Sequence, residues 1–194
     1  MLKLAQTRFP GLTVQFREGD LAQLDEWLHK RLIDFALMYD VGLPGAIKRE
    51  CLAELKPYAL LPGDSPLAKR RRAVSLHELA AQPFIQIDLP QSRDFPMAPF
   101  WQHGLSPNVR YRATSTELVR AMVANGLGVS VLSTQSSTVA QTSLVVERPI
   151  REATIIQPLV IARRARVAHT RASDLLAACV RDPVAQAMRE RVGK

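Results

Sequence analysis

Hydrophobic positions change period several times along this chain, and each change marks an element. Leu2, Leu4 and Phe9 read as the end of a helix that Pro10-Gly11 stops. Leu12-Thr13-Val14-Gln15-Phe16 alternates, as a half-buried strand does. Glu18-Gly19-Asp20 then leads into a helix capped by Asp20, with Leu21, Leu24, Leu28 and Leu32 as its buried stripe and Trp27 at its edge. Ile33 to Met38 is the next strand, and Tyr39-Asp40 sit just past its C-terminal end. A strand–helix–strand of this length implies parallel strands with a right-handed crossover. Ligands in open α/β sheets bind outside the carboxyl ends of strands, which puts Asp20, Tyr39 and Asp40 near any cleft.

Further along, Leu52 to Leu61 reads as one strand, and Pro62-Gly63-Asp64-Ser65-Pro66 is the clearest breaker cluster and first candidate boundary. Val74-Ser75-Leu76 caps a short helix, Pro83–Ile87 is a strand, and Asp88–Arg93 is a polar loop. A helix around Trp101 and His103 ends near Gly104, and Val109–Ala113 is another strand. That strand enters the stretch around which the chain is organised, Arg112–Leu132. There Thr114 and Glu117 have capping-box spacing, Leu118, Ala121 and Met122 share a face that excludes Glu117 and Arg120, and Asn125-Gly126 ends the helix. Val129–Leu132 is a buried strand, Ser133–Ser143 a Ser/Thr/Gln-rich connection, Leu159–Ala162 a strand. Ala172–Val192 is a C-terminal helix with Leu175, Leu176, Cys179 and Val180 turned inward. The helix start beside Thr114, Ser115 and Thr116 offers backbone N–H groups to an anion or carbonyl. The same residues equally suit an ordinary cap that binds nothing.

Strands and helices that alternate in this way specify an α/β fold, and 194 residues at 47% hydrophobic content suffice for one core or two small ones. The N-terminus has no apolar run of a signal peptide, and the longest uncharged run, Ala121–Val146, is too interrupted to span a membrane. Cys51 and Cys179 lie far apart, which suits a reducing cytoplasm and matches no zinc spacing. The net charge of +8 is concentrated in Lys69-Arg70-Arg71-Arg72 and Arg163-Arg164-Arg166. Neither run is interleaved with aromatics, so both read as solvated loops rather than a stacking surface for single strands. Such a field favours an anionic small molecule, or eases the approach of a larger assembly to DNA.

No catalytic constellation is apparent. His29, His77, His103 and His169 are scattered, and the chain has no Gly-x-Ser-x-Gly elbow, no phosphate-binding Walker loop, no His-Glu-x-x-His and no dinucleotide fingerprint. We therefore expect no enzyme activity, no cofactor and no metal site.

The run ATS-x-E-x-x-R-x-M-V-A-x-G-x-G-V-x-V-L, within Arg112–Leu132, resembles the second-lobe helix–strand unit of LysR-type transcriptional regulators. Five more segments follow that family's order: RFPGLTVQFREGD at 8–20, RLIDFALMY at 31–39, YALLPGDSPLA at 58–68, VSLHELAAQPFI at 74–85 and PLVIARR at 158–164. The resemblance implies a two-lobed effector-binding domain of the type II periplasmic-binding-protein fold. Lobe I is expected at residues 1–61 and 158–194 and lobe II at 62–157, with crossings near Leu60–Pro62 and Gln157–Leu159. In the family a small-molecule effector sits between the lobes. Matched position by position, its contacts here are Asp20, Gln91, Ser92 and Thr114, with Tyr39, Pro90 and Ser115 beside them. The resemblance further implies side-by-side antiparallel pairing into a homodimer or tetramer, and DNA contact only through a winged helix-turn-helix domain or a full-length partner. The family's first strand has no counterpart here, so lobe I is expected to lack it. A stand-alone solute-binding protein is the alternative, one that is normally exported.

Overall fold

The computed structural model describes residues 2–40, 46–70, 72–90, 93–133 and 144–192, with 183–192 described by backbone alone. From the N-terminus come α1 (Leu2–Arg8), α2 (Leu21–His29), β1 (Ala36–Tyr39) and β2 (Ile47–Leu55). Next are β3 (Tyr58–Pro62), α3 (Pro66–Lys69), α4 (Leu76–Ala80), β4 (Pro83–Ile87), α5 (Ala98–Gln102) and β5 (Asn108–Ala113). The chain continues through α6 (Thr116–Ala124), β6 (Ser130–Leu132), β7 (Val145–Pro149), β8 (Gln157–Arg164) and α7 (Arg171–Val192). Two compact units result, residues 1–54 with 158–194 and residues 55–157.

In the first unit the strand order is β1-β8-β2. The period-2 geometry of β8 sends Val160 and Ala162 to one face, where Leu21 and Leu28 of α2 meet them. Ile161 points to the other face, against Ala177 and Val180 of α7. Asp20 caps α2 as expected: the Gln23 amide donates to its carboxylate at 2.8 Å, and the Asp20 amide donates to the Gln23 side chain at 2.9 Å. Arg163 ties β8 to α7 through Asp174 at 2.6 Å, and Arg181 chelates Glu50 from α7.

Two expectations for this unit are corrected. Residues 12–16 form no strand; residues 12–20 run without a strand partner among the described residues, and Phe16 is 61% exposed. The alternation of LTVQF describes side-chain faces, but a ladder also needs a neighbouring backbone. β1 therefore has no parallel partner in that stretch and pairs antiparallel with β8, Ala36 opposite Ala162 and Tyr39 opposite Leu159.

The second unit has β3 at its centre, antiparallel to both β6 and β7. All five β3 residues are buried, as a strand covered on both faces requires. Ala59 and Leu61 join Phe84, Leu76, Leu79 and Phe100 in one core, while Tyr58 and Leu60 join Ile85, Val119 and Val123 in the other. Phe84 and Phe100 meet edge to face with centroids 5.4 Å apart. β4 and β5 are parallel, and β4 joins β6 through Phe84–Val129, with the Ile85 amide donating to the Val129 carbonyl at 2.8 Å. That close joint needs Gly128, where a Cβ would lie 2.3 Å from the Pro83 carbonyl oxygen.

β3 is hydrogen-bonded wholly within the second unit, so the passage between units falls at Glu54/Leu55 rather than near Leu60–Pro62. Pro62–Pro66 is a turn inside the second unit, with Ser65 capping α3 and Pro66 in its first turn. The expected single strand Leu52–Leu61 is two strands, and β7 is an element that residue pattern did not indicate.

Candidate functional site

The C-terminal ends of the parallel strands β4 and β5 lie side by side, because the Asp88 amide donates to the Ala113 carbonyl at 2.8 Å. Thr114 follows β5 directly, is exposed, and leads through Ser115 into α6. Pro90 is exposed two residues past Asp88. The structure thus brings Pro90, Thr114 and Ser115 to one end of the second unit. Gln91 and Ser92 lie outside the described residues. In the first unit Asp20 is occupied as the cap of α2. Tyr39 closes β1, half-buried, and Asp40 beside it pairs with Arg49 at 3.1 Å.

The cap of α6 differs from the expected capping box. Ser115 is the N-cap, its hydroxyl accepting from the Leu118 amide at 3.4 Å, so Thr114 stays outside the helix with its hydroxyl uncommitted to the cap. The Glu117 carboxylate accepts from the hydroxyls of Ser115 (3.1 Å) and Thr116 (3.0 Å). Its own amide and the Thr116 hydroxyl hold Glu117 below the usual carboxylate range, so it is ionised at neutral pH. Arg93 approaches Asp88 at 3.5 Å and Arg112 at 4.0 Å, and Arg112 also donates to the Gln86 side chain at 2.6 Å.

The buried face of α6 is also one residue displaced from the expected one. Val119 and Val123 face the core, and Leu118 is 51% exposed. Arg120, expected to point away, is only 5% exposed; it donates to Glu147 at 3.0 Å and to the Tyr58 hydroxyl, and lies over the Tyr58 ring. Burial pushes the Tyr58 hydroxyl well above its ordinary value, so it stays protonated. This network fixes α6 against β3 and β7. Single-residue pattern carried no sign of it, because Arg120 has its partners 62 and 27 residues away.

The first unit holds a separate cavity of about 520 Å³ between the extended stretch Thr13–Gly19 and Ile33–Leu37, floored by Leu176 and Val180. It includes neither Asp20 nor Tyr39. Among the described residues no group of His, Cys, Asp or Glu is arranged to hold a metal, and no helix is long and apolar enough to cross a membrane.

A family model described as the LysR substrate binding domain matches residues 1–185. The transcriptional regulator TtuA of Agrobacterium vitis is 30% identical over 129 residues, 64% of this chain and 42% of TtuA. The chain thus spans less than half the length of the curated relatives it matches. Among solved structures, HinK, a LysR family regulator from Pseudomonas aeruginosa, superposes with a TM-score of 0.85 at 28% identity, covering 94% of this chain and 64% of HinK. The regulatory domain of Synechocystis PCC6803 CcmR, solved with 2-PG, shares the fold at a TM-score of 0.79 and 18% identity, over 94% of this chain and 88% of that domain. Its architecture is therefore that of the type II periplasmic-binding-like effector domains, and the chain belongs to the LysR substrate-binding domain family.

Proposed function

We propose that this chain is the ligand-sensing part of a LysR-type transcriptional regulator, acting in the cytoplasm, that binds a small polar metabolite without turning it over. The observation that carries the reading is the paired end of β4 and β5 leading into α6. Parallel strands end there beside a helix start, the position at which α/β folds bind ligands. The Thr114 hydroxyl lies free of the cap at that point. Pro90, Thr114 and Ser115, with Gln91 and Ser92, supply the effector contacts of the second unit, and Asp20 and Tyr39 those of the first. The two units, 1–54 with 158–194 and 55–157, correspond in this reading to lobe I and lobe II. A helix-turn-helix region reads DNA, carried in the same polypeptide or in a full-length partner.

Calorimetry against a panel of polar metabolites tests this. Thr114→Phe fills the strand-end position from an exposed site, so it should weaken effector binding at least tenfold while leaving the melting temperature within 2 °C. A ligand bound equally by both proteins overturns the site, and turnover of a bound ligand by the purified chain overturns the function.

Assembly follows from the same reading. The α2 helix keeps Leu24 and Trp27 half-buried beside its covered face, enough apolar surface for an isologous contact between copies. Light scattering at tens of micromolar should give a dimer or tetramer; a monomer throughout counts against pairing through α2.

A further inference from the structure

Three guanidinium groups from two distant segments converge on one carboxylate in the second unit. Arg70 donates to Glu78 at 2.7 Å, while Arg72 and Arg151 approach the same carboxylate at 4.0 Å. Arg151 is brought there by the backbone. Val74 bridges Ile150, the Val74 amide donates to the Pro149 carbonyl at 3.0 Å, and the Arg151 amide donates to the Val74 carbonyl at 2.9 Å. The arginines are therefore held by a fixed joint rather than by a loop alone.

The charges at this joint do not cancel. Glu78 is shared, since it also accepts from the Ser75 amide at 2.9 Å to cap α4, a bond that holds it below the usual carboxylate range. Glu152, the other nearby carboxylate, accepts from the Leu76 amide at 3.0 Å. Arg72 and Arg151 make no side-chain hydrogen bond among the described residues, and both are exposed. Lys69 stands exposed beside Arg70. Three guanidiniums and Lys69 against the two carboxylates of Glu78 and Glu152 leave two positive charges in surplus, and Arg72 and Arg151 are both exposed.

From this geometry we propose that the Arg70–Arg72–Arg151 face docks the phosphate backbone of duplex DNA. Arg72 lies 4.0 Å from one oxygen of that carboxylate and Arg151 4.0 Å from the other, so their nearest nitrogens are no more than about 10 Å apart. Phosphates along one DNA strand advance about 3.4 Å each along the axis, so the cluster spans two to three of them. None of the exposed aromatic residues a single strand would stack on belongs to the cluster, which favours a duplex backbone over unpaired bases. Contact of this kind carries no sequence information and adds affinity and orientation to whatever reads the bases. It does not depend on the effector site: it concerns a different face and is measured without ligand.

Fluorescence anisotropy of the 194-residue chain with a labelled duplex of arbitrary sequence, titrated from 50 to 200 mM salt, tests the proposal. Releasing two to three phosphates' counterions gives the log K against log salt plot a slope contribution of about −2 to −3. The triple variant Arg70→Gln/Arg72→Gln/Arg151→Gln should lose that part of the slope and bind at least tenfold more weakly at 50 mM salt. The double variant Arg72→Gln/Arg151→Gln, which removes no side-chain hydrogen bond, should lose most of it with an unchanged melting temperature. A control of equal charge change, Lys30→Gln/Lys48→Gln/Arg110→Gln, should retain it. Equal losses in triple variant and control would reduce the effect to net charge. Either that result, no measurable duplex binding by the native chain, or equal competition by an acidic peptide of matched charge overturns the proposal.

Discussion

Replacing Arg120 by Met keeps the volume and apolar stem of the side chain and removes its charge, which makes it a direct probe of what holds α6 in place. In the native protein Arg120 is 5% exposed, donates to Glu147 and Tyr58, and packs over the Tyr58 ring. Without it the Glu147 carboxylate loses its cation and the Tyr58 hydroxyl loses a partner. Breaking a fully buried ion pair costs about 3–5 kcal/mol. The Glu147 side chain is 27% exposed, so water recovers part of that, and the expected loss is about 2–3 kcal/mol, against a total of roughly 5–15 for a domain. At about 2–4 °C per kcal/mol for a chain of this size, melting should fall by about 5–10 °C. Urea unfolding followed by circular dichroism gives the free energy, and hydrogen exchange at the Val119 and Val123 amides localises it. Leu118→Gln, one turn face away and 51% exposed, is the control and should move stability by less than about 0.5 kcal/mol. In a double-mutant cycle with Glu147→Gln the coupling should exceed about 1 kcal/mol. An Arg120→Met protein as stable as the Leu118→Gln control would refute the assignment of this network as the anchor of α6.

Gly128→Ala should destabilise by about 2 kcal/mol or more, because its Cβ would meet the Pro83 carbonyl oxygen at 2.3 Å, a backbone atom that cannot rotate away; an unchanged urea midpoint would show that the β4–β6 joint relaxes freely. Stability should also fall with acid. The Arg181 hydrogen bonds lower the pKa of Glu50 and the Ser75 amide lowers that of Glu78, so each folded-state value lies below the unfolded one. Their contribution is complete above the unfolded value of about 4.5 and is lost as pH falls from there through the folded values. Glu50→Gln should accordingly make the drop in melting temperature between pH 6 and pH 3 shallower than in the native chain, and an identical drop would remove Glu50 from the account.

Local chemistry was the most legible part of this fold. The cap read at Val74-Ser75-Leu76 is there, with Ser75 capping α4, Asn125-Gly126 ends α6 with Gly126 at φ 74°, and Pro83–Ile87 is the strand its apolar run indicates. What pattern could not supply was the identity of partners. LTVQF alternates like a strand yet has no strand partner among the described residues. Counting apolar residues on α6 favours the face bearing Leu118, whereas Glu147 and Tyr58 draw Arg120 inward and turn Val119 and Val123 to the core. β7 has little apolar signature, because Val145–Pro149 carries Glu147 and Arg148 in a short strand whose burial is mostly partial. For the proposed site, the strand-end position of Thr114 and Ser115 was readable from helix-start chemistry, but the choice of Ser115 over Thr114 as cap was not. Both hydroxyls are compatible with that role, and only the backbone decides which one is spent on it.

That decision sets the charge character of the proposed effector site. A helix start favours an anion, by about 0.3–1 kcal/mol at an exposed position, and here Glu117 already supplies one, held by two hydroxyls and ionised at neutral pH. Asp88 lies between Arg93 and Arg112, so with Glu117 this end carries two formal negative charges against two positive ones. Every formal charge named at this end of the second unit except that of Glu117 has an opposite partner within 4.0 Å, and Glu117 is itself satisfied by hydroxyls. An anionic ligand gains the helix field only by displacing Glu117, and a cation only by drawing Asp88 away from its arginines. A ligand that binds through hydroxyl and carbonyl groups disturbs neither, and Thr114 offers it a donor and an acceptor not engaged in the cap. Affinity at this site should therefore come from directional hydrogen bonds and change little with salt. At the Arg70–Arg72–Arg151 face, where two positive charges are left in surplus, affinity for DNA should fall steeply with it. Salt titration thus separates the two surfaces of one unit by the single property in which their residues differ, net local charge.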